Sequence, residues 1–385
     1  MGHGKWSDDR FLDGLRSQGD PQADEAVREL MRGREVRAVN EIFKTLRSDA
    51  DPLPADTPEP FRRFLDATGQ LPSWVDPERV ERGGHVFLKH ALSAAVVLLA
   101  SSLPRGYAAP CLCAIRSISR ELQKHPYDRL MGVLQLMVNV ASPGSFEPGG
   151  RAVVTAQKLR LLHAGVRTLV PRFRPGYEAK HGVPVNHEDM LATIMGFSYL
   201  VTDGIRRMGL DLSDAEAEDY YYLWRVYAQM MGIHPDGRPE DDSYIPGSVA
   251  EAGEYYASFV RRQNSGPAVN PYGVVLTRDN LDMMRALIPK LLRLLGFGYA
   301  PAIAMTELMT AEELARVGVR PASGHKVVKL VFDVGLRVAQ AGEALPFSSR
   351  LAALMFQHMI DVDRGGEVTF TIPVTLSGLR GSSLV

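Results

Sequence analysis

The chain has 385 residues, of which 45% are hydrophobic and 23% are charged, and its formal net charge at pH 7 is −1. This near-neutral balance argues against a nucleic-acid-binding protein, because tracking phosphates requires a strongly basic surface. With only two cysteines, Cys111 and Cys113, the sequence excludes a disulfide framework and a four-sulfur zinc site. The length suits one large domain or two ordinary ones.

The first residues and the longest apolar run bear on location. Residues 1–14 are polar and lack the apolar core of a signal peptide. We therefore expect a cytoplasmic protein, or a secreted one if an export signal has been trimmed. The longest apolar run, residues 91–100, is shorter than the ~20 residues that span a bilayer. It predicts a buried helix and no membrane span.

Hydrophobic periodicity predicts helices nearly throughout the chain. A Pro-rich stretch, residues 51–60, separates short amino-terminal helices from longer ones, and no repeat or strand–helix alternation stands out. We therefore predict an all-α fold in a single large domain. The longer helices are expected at residues 77–102, 106–122, 126–141, 150–171, 187–208, 213–232, 248–263, 278–294 and 325–341, with a short strand or extended tail at 367–374.

Most familiar catalytic signatures are absent. The sequence has no dinucleotide-binding glycine motif, no P-loop lysine and no nucleophile elbow. His187 and Glu188 begin like a zinc-protease motif, but position 191 is leucine and no second histidine follows on that face. Cys-x-x-Cys-His is also absent, which excludes a covalently attached c-type haem.

One predicted helix carries a polar stripe beside its apolar face. Arg160, His163 and Arg167 recur at spacings of three and four residues, which places them on one helical face. Two interpretations are open. The stripe is either a solvated basic face with an incidental histidine, or the wall of a pocket for a ligand with anionic groups. Arginine pairs with carboxylates and imidazole binds metals, as the second interpretation requires.

A second helix is predicted to begin at His187. Asn186 is a suitable N-cap, and Asp189 occupies the capping-box position. His187 is either a core residue whose hydrogen bonds are satisfied within the protein or a ligand of a metal. The second interpretation is open because a b-type haem is held by an imidazole at a rigid helix start beside an apolar wall. The apolar residues on its helical face include Met190, Leu191 and Ile194.

Residues 220–231 (YYYLWRVYAQMM) form an aromatic and methionine-rich stretch. This composition predicts core packing, because large aromatic rings and flexible thioethers fill irregular interiors. Lining of an apolar substrate channel is the alternative. Sequence alone leaves both open.

Two segments carry a family resemblance. RLLHAGVR at residues 160–167 and GVPVNHEDMLATIMGFS at residues 182–198 resemble the haem-dependent oxygenase family of the latex-clearing protein (rubber oxygenase) and MpaB type. LRSQGDPQAD at residues 15–24 is similar to the latex-clearing branch. The resemblance implies a globin-like helical core, one non-covalent haem b, and oxidative cleavage of an isoprenoid carbon–carbon double bond by O2 to carbonyl products.

The resemblance also implies a division of the chain. Residues 1–57 are expected to form an amino-terminal helical arm with a Pro-rich linker. Residues 58–300 would be the haem-binding helical oxygenase core, and residues 301–385 a carboxy-terminal extension that packs on it.

Several residue roles follow from the same resemblance. His187 is expected to be the proximal iron ligand, and Arg160 to face the haem. Arg160 and Arg167 would pair with haem propionates or stabilise bound oxygen, and Glu147 is the upstream candidate for a catalytic base. Glu188 or a backbone carbonyl would accept the other imidazole N–H of His187. The apolar wall beside the haem would be Met190, Leu191 and Ile194.

The sequence departs from the rubber-cleaving pattern at two positions. Those members have lysine and threonine three and four residues after the arginine, where this chain has His163 and Ala164. His163 is thus a candidate distal iron ligand, which O2 would have to displace. Ala164 removes a hydroxyl near the bound ligand, and the two changes together argue against polyisoprene itself as substrate.

Three functions follow from these observations. The leading one is a haem b-dependent oxygenase that cleaves C=C bonds in an apolar, isoprenoid-like or other unsaturated substrate, small or polymeric, with O2 as co-substrate. The alternatives are a non-catalytic bis-histidine haem protein for gas or redox sensing or haem storage, and a haem-free helical lipid-binding protein. The sequence leaves the oligomeric state open between a monomer and a dimer.

Overall fold

The computed structural model describes residues 4–118, 126–288, 290–294, 296–322 and 370–374. Every regular element within these residues is a helix, which confirms the predicted all-α fold, and the helices pack as a single domain. The predicted helix at 325–341 and most of the predicted carboxy-terminal extension lie outside the described residues.

The helices follow one another closely along the chain. We use the name arm for the first four helices, which extend past the predicted boundary at residue 57: α1 (Asp9–Arg16), α2 (Pro21–Gly33), α3 (Val36–Thr45) and α4 (Glu59–Thr68). The next helices are α5 (Pro77–Lys89), α6 (Ala91–Val97), α7 (Leu103–Tyr107), α8 (Pro110–Ile118), α9 (Pro126–Ala141), α10 (Ala152–Phe173) and α11 (Tyr177–His181). They are followed by α12 (His187–Phe197), α13 (Tyr199–Arg207), α14 (Asp214–Met230), α15 (Val249–Gln263), α16 (Pro271–Leu287), α17 (Lys290–Leu294), α18 (Ala300–Leu308) and α19 (Ala311–Arg316).

Helix α10 is enclosed between two apolar clusters. One face of α10, including Leu159 and Leu162, packs into the main core with α5, α6, α9, α12 and α14. The opposite face, including Leu161 and Ala164, packs against α2, α3 and α4. The arm therefore covers α10, and almost the whole helix is removed from water.

Several predicted long helices are broken in the structure, including 106–122 at residues 108–109 and 278–294 at Ile288. Residues 77–102 do not form one helix, because the chain leaves helical geometry at His90 and the segments Pro77–Lys89 and Ala91–Tyr107 meet at 80°. The predicted helix at 187–208 ends at Phe197. At Ser198 the backbone has φ −110° and ψ −88°, and the side-chain hydroxyl donates to the carbonyl of Ile194 at 2.8 Å. Such back-bonding to the preceding turn bends helices.

The region after α6 continues as a π-helical turn, Leu98–Ser102, before α7 begins.

Across the described part of the chain, no single helix is both long and apolar enough to cross a membrane. The bent pair of Pro77–Lys89 and Ala91–Tyr107 meets the length and composition requirements only when its two segments are taken together.

Residues 370–374, within the segment predicted as a strand or tail, run without regular secondary structure. The side-chain amide of Asn40 donates to the carbonyl of Ile372 at 3.1 Å and accepts from its N–H at 2.8 Å. Pro373 lies against Gly165 of α10, where a Cβ would be 2.7 Å from the proline ring. This part of the carboxy-terminal region thus packs on the arm and α10, as an extended segment.

Gly83 allows α5 to approach α14 closely. A Cβ at this position would lie 2.5 Å from the backbone oxygen of Asp219 and 2.9 Å from Cβ of Leu223. Gly83→Ala is therefore expected to force the helices apart and lower the free energy of unfolding by about 1–3 kcal/mol. Urea denaturation of the purified variants measures the change.

Gly14→Ala provides the matched control, because Gly14 also lies within a helix but has nothing within 4 Å of the added Cβ. Its better helix propensity should raise the free energy of unfolding by up to about 1 kcal/mol. Equal effects of the two substitutions would show that α5 and α14 are not in the close contact described.

Candidate functional site

An apolar cavity lies between α8, α9, α10, α12 and α14. The empty space within it, open solvent at its mouth included, is about 750 Å³. Its few polar side chains are His163, Cys111, Asp189, Thr193 and Tyr227. Its apolar lining consists of Leu112, Ile115, Leu136, Leu159, Val185, Met190, Ile194, Phe197 and Met231.

His163 reaches this cavity from the middle of α10. The residue is only 6% exposed, and Leu159, one turn earlier on the same helix, lines the same wall. Because α10 is packed on both sides, the position of the imidazole is set by the helix and not by a mobile loop. The structure thus supports the prediction that His163 faces a pocket and not solvent.

The two arginines of the predicted stripe are buried ion-pair partners. Arg160 donates through Nε to Oδ2 of Asp20 at 2.7 Å and through Nη2 to Oδ1 of the same carboxylate at 3.0 Å. Arg167 donates through Nε to Asp24 at 2.7 Å. The solvated-face interpretation is therefore wrong. The pocket interpretation also needs correction, since both charges are already paired with aspartates of the arm.

The surroundings of the Asp20–Arg160 pair are tightly packed. Burial alone would raise the pKa of Asp20, but the charge and hydrogen bonds of Arg160 outweigh it and lower that pKa to about 2. Gly232 packs directly against the pair. Its backbone φ is +81°, and a Cβ there would be 2.9 Å from the carboxylate of Asp20. A side chain at position 232 would displace the pair.

One side-chain nitrogen of Arg167 has no hydrogen-bond partner among the described residues. Its Nη1 donates to the carbonyl of Val185 at 3.3 Å, and its Nη2 is buried with no hydrogen-bond partner among the described residues. A buried guanidinium nitrogen without an acceptor is costly. Of the two stripe arginines, Arg167 therefore retains capacity for an additional anionic or carbonyl acceptor.

Helix α12 begins at His187, as predicted. Asn186 is its N-cap and accepts from the N–H of Asp189 at 2.9 Å. In place of a full capping box, the carboxylate of Asp189 accepts from the side-chain amide of Asn186 at 3.0 Å. Val185 immediately before has φ +53°, a left-handed conformation that β-branched residues rarely adopt. This strain lies in the cavity wall, where such outliers often accompany function.

The imidazole of His187 is buried and neutral. Burial lowers its pKa to about 3, and the positive charges of Arg167 and Arg160 add to that effect, although Asp20 opposes it. Its ring lies 6.0 Å from that of Tyr244, between centroids, and its Nδ1 is buried without a hydrogen-bond partner among the described residues. The described lining of the cavity does not include His187 itself.

Glu188 does not orient His187. Its fully buried carboxylate accepts from Nη1 of Arg16 at 2.6 Å and from Nε of Arg262 at 3.2 Å. The expectation that Glu188 accepts a hydrogen bond from His187 is therefore wrong. Glu188 instead joins α12 to α1 and α15.

Cys111 and Asp189 are in hydrogen-bond contact and form a polar patch in the cavity wall, which the sequence did not predict. Burial raises the pKa of both groups, so the thiol is neutral, and Arg16 donates to Asp189 at 3.0 Å. No local pattern signals this contact, because Cys111 lies on α8 and Asp189 on α12. Tyr227 lines the cavity, which agrees with the alternative interpretation of residues 220–231 as channel lining.

Five further residues singled out in the sequence have distinct positions. Met190 and Ile194 line the cavity, whereas Leu191 is fully buried in the main core and is not among the described lining. Ala164 faces the arm cluster, so a hydroxyl there would not face this cavity. Glu147 is exposed in the turn after α9 and borders a separate depression. The structure thus does not bring the predicted base to His163.

The comparisons with known proteins place this arrangement in a family. The family model described as "ER-bound oxygenase mpaB/B'/Rubber oxygenase, catalytic domain" matches residues 81–330, well over half of the chain. The chain belongs to this family. The resemblance seen at residues 160–167 and 182–198 is thereby confirmed, and both segments fall inside the matched region.

Two similar proteins illustrate the relationship. Rubber oxygenase from Streptomyces sp. (strain K30) is 25% identical over 236 residues, which cover 59% of this chain and 54% of that protein. The chain thus matches about half the length of this curated relative. The structure of latex clearing protein LCP in the closed state shares the fold, with TM-score 0.70 and 21% identity over 90% of this chain and 91% of that one.

Asp20→Asn tests the buried pair in this family member. Asparagine keeps the N-cap of α2 but leaves the charge of Arg160 uncompensated, so we expect the free energy of unfolding at pH 7 to fall by about 3–5 kcal/mol. The lowered pKa means that the carboxylate stabilises the fold above pH 3.8, and this contribution disappears as the pH falls through about 2. Urea titrations at stepped pH should show the two proteins converging over that window.

Glu41→Gln is the control, because Glu41 pairs with Lys44 on the exposed surface of α3. Such pairs contribute little, so the expected change is below about 0.5 kcal/mol. A similar small effect for Asp20→Asn would contradict the role assigned to the buried pair.

Proposed function

We propose that this chain is a haem b-dependent oxygenase that cleaves C=C bonds in an apolar, unsaturated, isoprenoid-like substrate. The observation that carries the proposal is a rigidly held histidine, His163, in an apolar cavity whose wall includes the helix beginning at His187. Membership of an oxygenase family supports the reaction class. The apolar lining supports the substrate class.

The donor set near His187 suits a haem. Its imidazole is neutral, held at a helix start, and has a buried nitrogen without a partner among the described residues. Those residues contain no cluster of three or more His, Cys, Asp or Glu side chains placed to hold a bare metal ion. A haem iron needs only one or two protein ligands, which His187 and His163 can supply.

The chain's own residues then have separate tasks. His187 would hold the iron, and the spare Nη2 of Arg167 would bind a propionate in preference to the satisfied Arg160. When bound, haem supplies the iron at which O2 is activated. The apolar walls bind the alkene chain and exclude water, which strengthens each polar contact inside. Cleavage of one C=C bond by one O2 gives two carbonyl groups, so the overall reaction balances without a further reductant.

Tyr227 is a hydrogen-bond donor inside this cavity. Its hydroxyl is buried with no partner among the described residues, and burial raises its pKa far enough to keep the proton in place. A preorganised donor in a water-poor site stabilises negative charge that develops on oxygen during reaction. We assign this role to Tyr227.

A second candidate function rests on His163. If this imidazole remains bound to iron in all states, the protein is a bis-histidine haem protein that senses or stores and does not catalyse. His163 lines the apolar cavity, which supports this candidate. Product formation separates this function from the oxygenase.

His187→Ala is expected to abolish retention of haem, because it removes the only buried neutral imidazole at the start of α12. His163→Ala should retain haem and shift its absorption spectrum from six- toward five-coordinate. Ultraviolet–visible spectra of the purified variants measure both effects. The control is His85→Ala, since His85 is exposed on α5 and should leave the spectrum unchanged.

Equal loss of haem from the His187 and His163 variants would overturn the two ligand assignments. A folded wild-type protein that shows no Soret band after incubation with haemin would overturn the haem proposal, and would favour the haem-free lipid-binding function.

Tyr227→Phe is expected to leave haem binding intact and to lower kcat for alkene cleavage about tenfold or more, since one aligned donor is lost. Tyr221→Phe is the matched control. Its hydroxyl donates to the carbonyl of Pro246 at 2.8 Å, so its loss should lower stability by about 1 kcal/mol without changing kcat. Steady-state O2 consumption with squalene measures kcat, and equal kcat in both variants would remove Tyr227 from the mechanism.

A further inference from the structure

A second apolar cavity lies on the other side of α12. The empty space within it, open solvent at its mouth included, is about 490 Å³. Leu112, Thr193 and Phe197 line both this cavity and the one that contains His163, so the same side chains form the partition. We call this space the second chamber. Its remaining wall comes largely from the π-helical turn, α7 and α15.

The π-helical turn places Ser102 in the wall of the second chamber. Within the turn, the N–H of Leu103 donates to the carbonyl of Leu98, one residue further back than in an α-helix. The carbonyl of Leu99 accepts from the side-chain amide of Asn280 at 2.7 Å. The turn is thus held by a buried side chain of α16, and π turns of this kind frequently occur at functional sites.

Ser102 leaves a hydroxyl without a partner at this point. The residue is 4% exposed, and its Oγ is buried with no hydrogen bond to any described residue. Ser101 beside it is also buried with an unpaired hydroxyl, but it is not among the described residues that line the chamber. An unsatisfied buried hydroxyl is unfavourable, and a ligand oxygen at this position would relieve the cost.

We propose that the second chamber binds an apolar chain that carries a carbonyl oxygen, with Ser102 as the hydrogen-bond donor to that oxygen. The apolar side chains of Leu98, Leu103, Leu200 and Phe259 enclose the hydrocarbon. Gly196 on α12 lines the chamber beside Ser102, and a Cβ there would be in ordinary van der Waals contact with that of Ser102, at 3.8 Å.

A carbonyl fits the chamber better than an alcohol. A carbonyl oxygen only accepts, so it satisfies Ser102 without burying a new donor, whereas an alcohol brings an O–H that needs its own acceptor. The hydroxyl of Thr193 already donates to the carbonyl of Asp189 at 2.9 Å. Aldehyde and ketone ends are also what oxidative C=C cleavage produces. The inference rests on the proposed function for the origin of the ligand, but not for its binding.

The test compares 2-decanone with decane by isothermal titration calorimetry on the purified full-length protein. Ser102→Ala should weaken binding of the ketone about 3- to 10-fold, which corresponds to one net hydrogen bond, and leave decane unchanged. Ser101→Ala, the adjacent buried serine, should leave both affinities unchanged. Gly196→Leu should weaken both ligands, because its side chain would extend into the chamber that Gly196 lines.

Equal ketone affinity in the wild-type and Ser102→Ala proteins would overturn the proposal, as would equal losses in the Ser102 and Ser101 variants. Thermal melting confirms that each variant is folded. Ser102→Cys keeps the shape of the side chain but is a weaker hydrogen-bond donor, so it should give an intermediate ketone affinity. Failure here leaves the haem spectrum and alkene cleavage untouched. A missing Soret band with retained ketone selectivity would refute the proposed function alone.

Discussion

The burial of α10 between the arm and the main core is the constraint on which the site depends. A helix enclosed on both sides cannot leave arginine charges unpaired, and Asp20 and Asp24 of the arm supply the matching carboxylates. The arm is therefore part of the site architecture, since it fixes the rotation of α10. That rotation directs His163 into the apolar cavity.

Helix α12 is the second structural support, and it serves two cavities. Asn186 fixes its start, the buried carboxylate of Glu188 joins it to α1 and α15, and Ser198 ends it. With both ends held, its side chains form one wall of the His163 cavity and one wall of the second chamber. Thr193 and Phe197 contribute to both, so changes on this helix should affect both spaces.

Much of the local structure was predictable, because caps and hydrophobic periods are short-range signals. Asn186 before His187 and the helix over 126–141 are examples. Long-range pairings were not predictable: nothing near Arg160 indicates that Asp20 neutralises it, and Glu147 is close to α10 in sequence but is exposed outside the cavity. The 80° bend at His90 was missed since the apolar pattern continues across it.

We propose that this fold uses a haem to cleave a C=C bond with O2. Incubation of the haem-loaded protein with squalene under ¹⁸O2, followed by mass spectrometry of the products, tests it most directly. We expect paired aldehyde and ketone fragments that each carry one ¹⁸O atom when exchange with water is blocked by rapid reduction. Unchanged squalene, or products whose oxygen comes from water, would contradict it.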